Sequence, residues 1–204
     1  GATIIHLMVA SIASPFILRH SINAIWSKSP YYFTITWPSY SIGPVTTSSL
    51  RVWLILTAIA LAVIVHLILV RTKIGKAIRA TSSNPELALA SGINTDRVIW
   101  ITWFLGAGLA AIAGVFRGAG TLVNPMIGWE VILPVFAVVI LGGIGNYYGA
   151  IAAAFIIGLA ENFGVVGLTA LGLSTEYRTA IAFLILIVTL IVKPQGLAML
   201  FRRA

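Results

Sequence analysis

Residues 52–70 form an apolar stretch that contains no Asp, Glu, Lys or Arg. A helix needs about 20 mostly apolar residues to cross a bilayer, at roughly 1.5 Å of rise per residue. Stretches of similar character recur along the chain, which is 59% hydrophobic and 9% charged over its 204 residues. Because soluble domains are roughly a quarter charged, this composition predicts a polytopic membrane protein.

Six apolar segments are predicted to lie in the membrane and to form one all-α transmembrane helix bundle, a single domain over residues 1–204. These segments are residues 2–18, 52–70, 98–116, 131–141, 149–163 and 179–192. Residues 19–49, rich in Ser, Pro and aromatic side chains, are expected to form an extramembrane loop at the bilayer interface. The chain begins with Gly inside an apolar run, so we expect an N-terminal part to be missing and six to be a lower bound.

The net charge of +8 is explained by the positive-inside rule, which places Lys and Arg in cytoplasmic loops. No basic, aromatic-interleaved strand indicates a nucleic-acid partner. Basic residues indicate that the 71–97 loop is cytoplasmic, and alternation of the segments then puts the C-terminus in the cytoplasm as well. The cytoplasmic basic residues are then Arg71, Lys73, Lys76, Arg79, Arg97, Lys193, Arg202 and Arg203, against Arg19, Lys28, Arg51, Arg117 and Arg178 outside.

The stretch "GGIGNYYG", residues 142–149, interrupts the apolar region 131–160. Thirty helical residues would span about 45 Å, too long for one crossing and too short for two. The glycines therefore predict short or broken helices. One interpretation is a break that lines a transport pathway, where freed backbone groups are tolerated; the other is a tight turn between two short tilted helices.

Small residues recur every four positions on two predicted helices, a pattern that favours close helix packing over a pore-lining face. They are Gly106, Ala110, Gly114 and Gly118 on one, and Ala150, Ala154 and Gly158 on the other. Glu161 follows on the second face. A charge within hydrocarbon is costly, so Glu161 is expected either to hydrogen-bond inside the bundle or to touch the pathway.

Residues 73–94, "KIGKAIRATSSNPELALASGIN", are polar and helix-patterned between two apolar segments. Asn84, with the serines before it, suits a helix N-cap, Pro85 suits the first helical position, and Glu86 favours the positive end of the helix dipole. Gly92 is expected to end the helix in a left-handed conformation. So short a helix is marginal in water, so we expect it to dock on lipid headgroups, on the rest of the bundle, or on another protein.

This stretch resembles the cytoplasmic loop of permease subunits from branched-chain amino-acid ABC importers. The pattern G-x-A-x-R-A, then Asn-Pro-Glu, then Ala and G-I is matched by Gly75, Ala77, Arg79, Ala80, Asn84, Pro85, Glu86, Ala88, Gly92 and Ile93. "LAAIAGVF", "VILGGIGNYYGA", "GLAENF" and "VKPQGL" are similar to further motifs of that family, and Glu161 favours its LivH-like members. Asn146, Tyr147 and Tyr148 replace small residues of the family pattern.

The resemblance implies a coupling loop, residues 71–97, that receives movement from a separate ATPase. Its expected residues are Gly75, Arg79, Asn84, Pro85, Glu86, Ala88 and Gly92, and the candidate pathway residues are Gly142, Gly143, Gly145 and Glu161. ATP would bind the partner, since this chain has no G-x-x-x-x-G-K-[ST] sequence. The resemblance also implies a second permease subunit (LivM-like or a second copy), a soluble binding protein, and a bacterial or archaeal inner membrane.

Two other functional classes require residues of which the sequence offers few or none. An ion-coupled secondary transporter of small solutes needs intramembrane carboxylates, and only Glu161 is available. An intramembrane enzyme would need a motif such as H-E-x-x-H or G-x-S-x-G, and the sequence has neither. The substrate implied by the resemblance is Leu, Ile or Val, or a relative such as urea or an amide.

Overall fold

The structure, a computed structural model, describes residues 4–27, 29–42, 45–174 and 177–192. It divides into two compact units, Gly1–Pro125 and Met126–Ala204. The N-terminal unit contains α1 (Ile4–Trp26), β1 (Ser39–Ile42), β2 (Val45–Ser48), α2 (Ser49–Arg71), α3 (Lys73–Ser83), α4 (Pro85–Ala90) and α5 (Thr95–Gly120). The C-terminal unit contains α6 (Ile127–Glu130), α7 (Ile132–Gly142), α8 (Tyr147–Ala170) and α9 (Arg178–Val192).

The predicted all-α class is confirmed, with one antiparallel hairpin as the exception among the described residues. Strands β1 and β2 pair Ser39 with Ser48 and Ile42 with Val45. Within the described ranges, three helices, α2, α5 and α8, are long and apolar enough to cross a membrane. The apolar helices Ile127–Gly142 and Arg178–Ile191 are shorter. The chain is thus a multi-pass membrane protein.

Two predicted boundaries are wrong. Helix α1 continues to Trp26 rather than ending at residue 18, and it ends where Ser27 takes a positive φ of 70°. Helix α8 continues to Ala170 rather than ending at residue 163. Gly164, in the added stretch, lies against Ile181 of α9, and a Cβ there would require the end of that side chain to shift. Residues 2–3 and 193–204 of the predicted topology lie outside the described residues.

Residues 29–38 tie the start of α2 to the end of α5. The backbone of Tyr31 exchanges two hydrogen bonds with Val123, each 2.9 Å from nitrogen to oxygen. The Ser49 amide donates to the Pro38 carbonyl at 3.0 Å. Because α2 and α5 are joined through α3 and α4 at their other ends, this end of the N-terminal unit lies opposite the 71–97 loop.

The C-terminal unit is built on α7, which packs against both α8 and α9. Its buried core contains Ala137, Ile157 and Ala182, one from each helix. Since α7 and α8 are joined by a short turn at 143–146 yet share this core, α8 folds back along α7. The buried face of α8 carries Gly149 and Ala153 with Ile157, one position before the stripe of Ala150, Ala154 and Gly158 that the sequence suggested.

Candidate functional site

The coupling-loop candidate begins with a sharp turn at Thr72. Thr72 is extended, with φ −95° and ψ 157°, and its hydroxyl oxygen accepts from the Gly75 amide at 3.0 Å. The same hydroxyl donates to the Ile68 carbonyl. Gly75 is buried, and a Cβ added to it would come closer than 3.0 Å to the carbonyl oxygens of Ile68 and Leu69. Helix α3 is therefore folded directly against the last turn of α2.

Asn84 joins α3 to α4 and serves both helices. Its backbone amide donates to the Ala80 carbonyl at 3.1 Å, which closes α3. Its side-chain Oδ1 accepts from the Leu87 amide at 3.0 Å, which caps the start of α4. Pro85 occupies the first turn and Glu86 is the acidic residue of that turn. The predicted N-cap geometry is confirmed.

The end of α4 is closed by a paired backbone motif around Gly92. Gly92 has φ +82°, and its amide donates to the Leu89 carbonyl at 2.9 Å. The next amide, of Ile93, donates to the Ala88 carbonyl at 3.0 Å. This pairing is a Schellman motif, which needs a left-handed residue at that position. The predicted helix stop at Gly92 is confirmed.

Helix α4 presents apolar side chains outward. Ala88 is only 4% exposed, whereas Leu87 and Leu89 are 65% and 61% exposed. Helix α4 contacts α3 and α5, so Ala88 lies toward the unit while the two leucines point away from it. At the start of α5, Asn94 Oδ1 accepts from the Arg97 amide at 2.9 Å. The six residues of α4 therefore lie between α3 and α5, and each of these three helices begins at a residue whose side chain caps it.

Arg79 of α3 is exposed, while Gly75 and Thr81 of the same helix are buried. The Arg79 carbonyl accepts from the Ser82 hydroxyl at 3.0 Å. The seven predicted loop residues therefore divide into two groups. Gly75, Asn84, Pro85, Ala88 and Gly92 shape the loop backbone and its packing, while Arg79 and Glu86 are exposed charges.

The glycine-rich segment forms a tight turn between α7 and α8. Gly142 and Gly149 are buried against each other, and a Cβ on either would clash with the other's backbone or its neighbour's. Gly143 and Gly145 have φ of +88° and +82°. Asn146 Oδ1 accepts from the Gly149 amide at 2.9 Å and caps α8. These contacts favour the tight-turn interpretation, and a role in a pathway stays a prediction.

Glu161 has a charged partner within its own unit. Its Oε2 lies 3.2 Å from Nε of Arg178, the first residue of α9. The Glu161 side chain is 13% exposed and that of Arg178 is 44% exposed. This ion pair is what the bundle interpretation of Glu161 predicts. Among the described residues, no group of three or more His, Asp or Glu side chains could hold a metal ion.

Sequence reasoning missed two features of the loop. Thr72 was not identified as the cap of α3, although a Thr just before a helix is itself a recognised signal. The outward leucines of α4 were not predicted, because helical periodicity over six residues is too short to separate a buried face from an exposed one.

The family model described as "Branched-chain amino acid transport system / permease component" matches residues 2–190. Three relatives are named as permeases. The branched-chain amino acid permease protein LivH of Escherichia coli K12 is 36% identical over 75% of this chain and 48% of its own length. A probable LivH of Methanocaldococcus jannaschii is 33% identical, over 68% of this chain and 45% of its own length.

The ribose import permease protein RbsC of Escherichia coli K12 is 29% identical over 59% of this chain and 39% of its own length. This chain therefore spans about half the length, or less, of the curated relatives it matches. No solved structure matches the chain.

Proposed function

The chain belongs to the family of branched-chain amino acid transport permeases, and from that premise we propose that it is a membrane-embedded permease subunit of an ABC importer. In this proposal it lines the translocation pathway for branched-chain amino acids or related small polar or amide solutes. ATP is hydrolysed by a separate subunit. A second permease subunit, a soluble binding protein and an inner membrane with the 71–97 loop in the cytoplasm complete the assembly.

The observation that carries the proposal is the geometry of α4. A six-residue helix has almost no stability of its own, yet this one is capped at both ends and exposes two leucines. Burying a leucine stabilises a complex by roughly 1.5–3 kcal/mol. Leu87 and Leu89 together thus supply a contact on the order of several kcal/mol for a partner that accepts a short helix.

The N-terminal unit also provides a route from that contact to the membrane helices. Helix α4 packs on α3 and α5, and α3 packs on the end of α2 with no space for a side chain at Gly75. A push on α4 is therefore passed to two candidate spans through close backbone contact. This arrangement supports α4 as the coupling helix.

The names of the relatives support branched-chain amino acids as the first substrates to test. The two LivH relatives are named as branched-chain amino acid permeases, and the ribose permease is less similar to this chain. The ion-coupled alternative is weakened because Glu161, its sole intramembrane carboxylate candidate, is already paired with Arg178.

Cross-linking tests the proposal directly, because the chain has no Cys of its own. In the full-length protein with its ATPase in native membranes, Leu87→Cys should form a cross-link with the ATPase. Leu171→Cys is the matched control, since Leu171 is 76% exposed and lies outside in the predicted topology. Unimpaired ATP-driven import without any cross-link from position 87 would refute α4 as the coupling helix.

Uptake by reconstituted vesicles tests the substrate and the energy source. Radiolabelled leucine should accumulate only when ATP, the ATPase and the binding protein are all present. Ribose and urea serve as competing solutes. Uptake that continues without ATP but stops when the proton gradient is removed would favour the ion-coupled transporter instead.

A further inference from the structure

Helix α3 carries a cationic face that includes the coupling candidate Arg79 and two lysines to which the coupling role assigns nothing. Lys73, Lys76 and Arg79 are exposed and recur every three residues. At 100° per residue they cover a sector of about 120°. All three side chains are exposed, whereas Gly75 and Thr81 of the same helix are buried. The charges thus face away from the bundle.

Two further cations lie at the ends of the helices that α3 contacts. Arg71 ends α2 and Arg97 lies in the first turn of α5, and both are exposed. Within the described residues, none of the five cations makes a side-chain hydrogen bond or an ion pair. Helix α3 contains no acidic residue. The three cations of α3, spaced three residues apart, repel one another, and a bound anion relieves that repulsion.

The depth of α3 follows from Gly75. Gly75 packs on the carbonyls of Ile68 and Leu69, which lie within about 5 Å of the end of α2 along its axis. Helix α2 has 23 residues and is about 34 Å long, slightly more than the roughly 30 Å hydrocarbon core. The end of α2, and the α3 lysines beside it, therefore lie at the level of the lipid headgroups.

We propose that the cationic face of α3, completed by Arg71 and Arg97, binds the phosphate groups of anionic phospholipids in the adjacent leaflet. The inference rests on the proposed function only in taking this leaflet as cytoplasmic. Lysine and arginine clusters directly beside a membrane span attract anionic lipids, at roughly 1 kcal/mol for each cation. Long basic side chains reach the phosphates while their stems cover apolar surface. Bound lipid then holds α3 at the membrane surface while α4 stays available to its partner.

The experiment uses a fluorophore on Ser83→Cys, which lies on the exposed side of α3. The full-length permease is placed in vesicles that contain either phosphatidylglycerol or phosphatidylcholine brominated near the headgroup. Stronger quenching by the anionic lipid is expected. Lys73→Gln with Lys76→Gln should lower this preference about thirtyfold, from roughly 1 kcal/mol per lysine. The matched control, Arg51→Gln, removes an exposed cation at the other end of α2 and should leave the preference unchanged.

Equal quenching by both lipids, or an unchanged preference in the double variant, overturns the inference. If the double variant does not insert into the membrane, the salt dependence of the wild-type preference gives the same test. Raising the salt concentration from about 0.05 M to 0.5 M should weaken the preference for anionic lipid, because salt screens the charges. A preference that is unchanged at high salt overturns the inference. Displacement of the lipid by inorganic phosphate at constant ionic strength also overturns it, because the site then takes a free anion. ATP-driven leucine uptake in the same vesicles with the ATPase reports on the proposed function separately.

Discussion

Gly92 offers the sharpest test of the coupling helix, because its contribution is confined to the backbone. It has φ +82°, and no atom lies within 4 Å of a Cβ added there. Gly92→Val therefore adds no clash with neighbours and loses no side-chain contact. It forces a β-branched residue into the left-handed region, which costs about 2 kcal/mol. That strain falls on a helix of six residues.

The cost predicts a measurable opening of α4. A loss of about 2 kcal/mol corresponds to roughly a thirtyfold rise in the open population. Hydrogen exchange at the Ile93 amide, which donates to Ala88, should accelerate by about that factor. ATP-driven uptake should fall in the order Gly, Asn, Ala, Val at position 92, because Asn tolerates the left-handed region better than other side chains. Membrane insertion should be unaffected.

Gly172 provides the matched control in the same chain. It has φ +71° with no atom within 4 Å of an added Cβ, and Leu173 donates to the Leu168 carbonyl in the same Schellman pattern. It ends the 24-residue helix α8. Gly172→Val should accelerate local exchange but leave uptake intact. Equal losses of uptake in the two variants would refute a special role for α4, and unchanged exchange in Gly92→Val would refute the strain argument.

Three further substitutions test other contacts. Gly75→Ala should destabilise the protein by about 1–3 kcal/mol, because its Cβ overlaps the end of α2; a lower melting temperature, with Gly106→Ala unchanged as control, checks this. Asn84→Ala should cost about 1 kcal/mol of α4 stability, visible as about fivefold faster exchange in residues 85–90, while Asn84→Asp should stay near wild type. Glu161→Gln should cost less than about 1 kcal/mol, and the effect should vanish in an Arg178→Gln background. A raised KM for uptake in Glu161→Gln alone would instead place that side chain on the pathway.

The sequence predicted best what depends on neighbouring residues. The cap at Asn84 and the stop at Gly92 are local backbone chemistry, so their residue types identify them. The pairing of Glu161 with Arg178 joins positions 17 apart on different helices, and no local pattern indicates it. The burial of Gly75 depends on the turn at Thr72, which no apolar periodicity reveals.

Helix lengths were predicted less well, because they also depend on contacts between residues that are far apart in sequence. Residues 164–170 continue α8, and Gly164 there lies against α9; a contact between helices is not visible in helix propensity. Whether the glycines at 142–145 line a pathway depends on surfaces that further subunits would complete. That prediction therefore rests on the family resemblance.

The paired hydrogen bonds between Tyr31 and Val123 close residues 31–123 into a ring. Helices α2 and α5 are then held at both ends, by α3 and α4 at one end and by this backbone clasp at the other. If α2 and α5 were connected only at one end, a force applied at that end would separate them. If α4 receives movement from a partner, as proposed, the Tyr31–Val123 hydrogen bonds would keep α2 and α5 together at their far ends, so that the two helices would move as a pair.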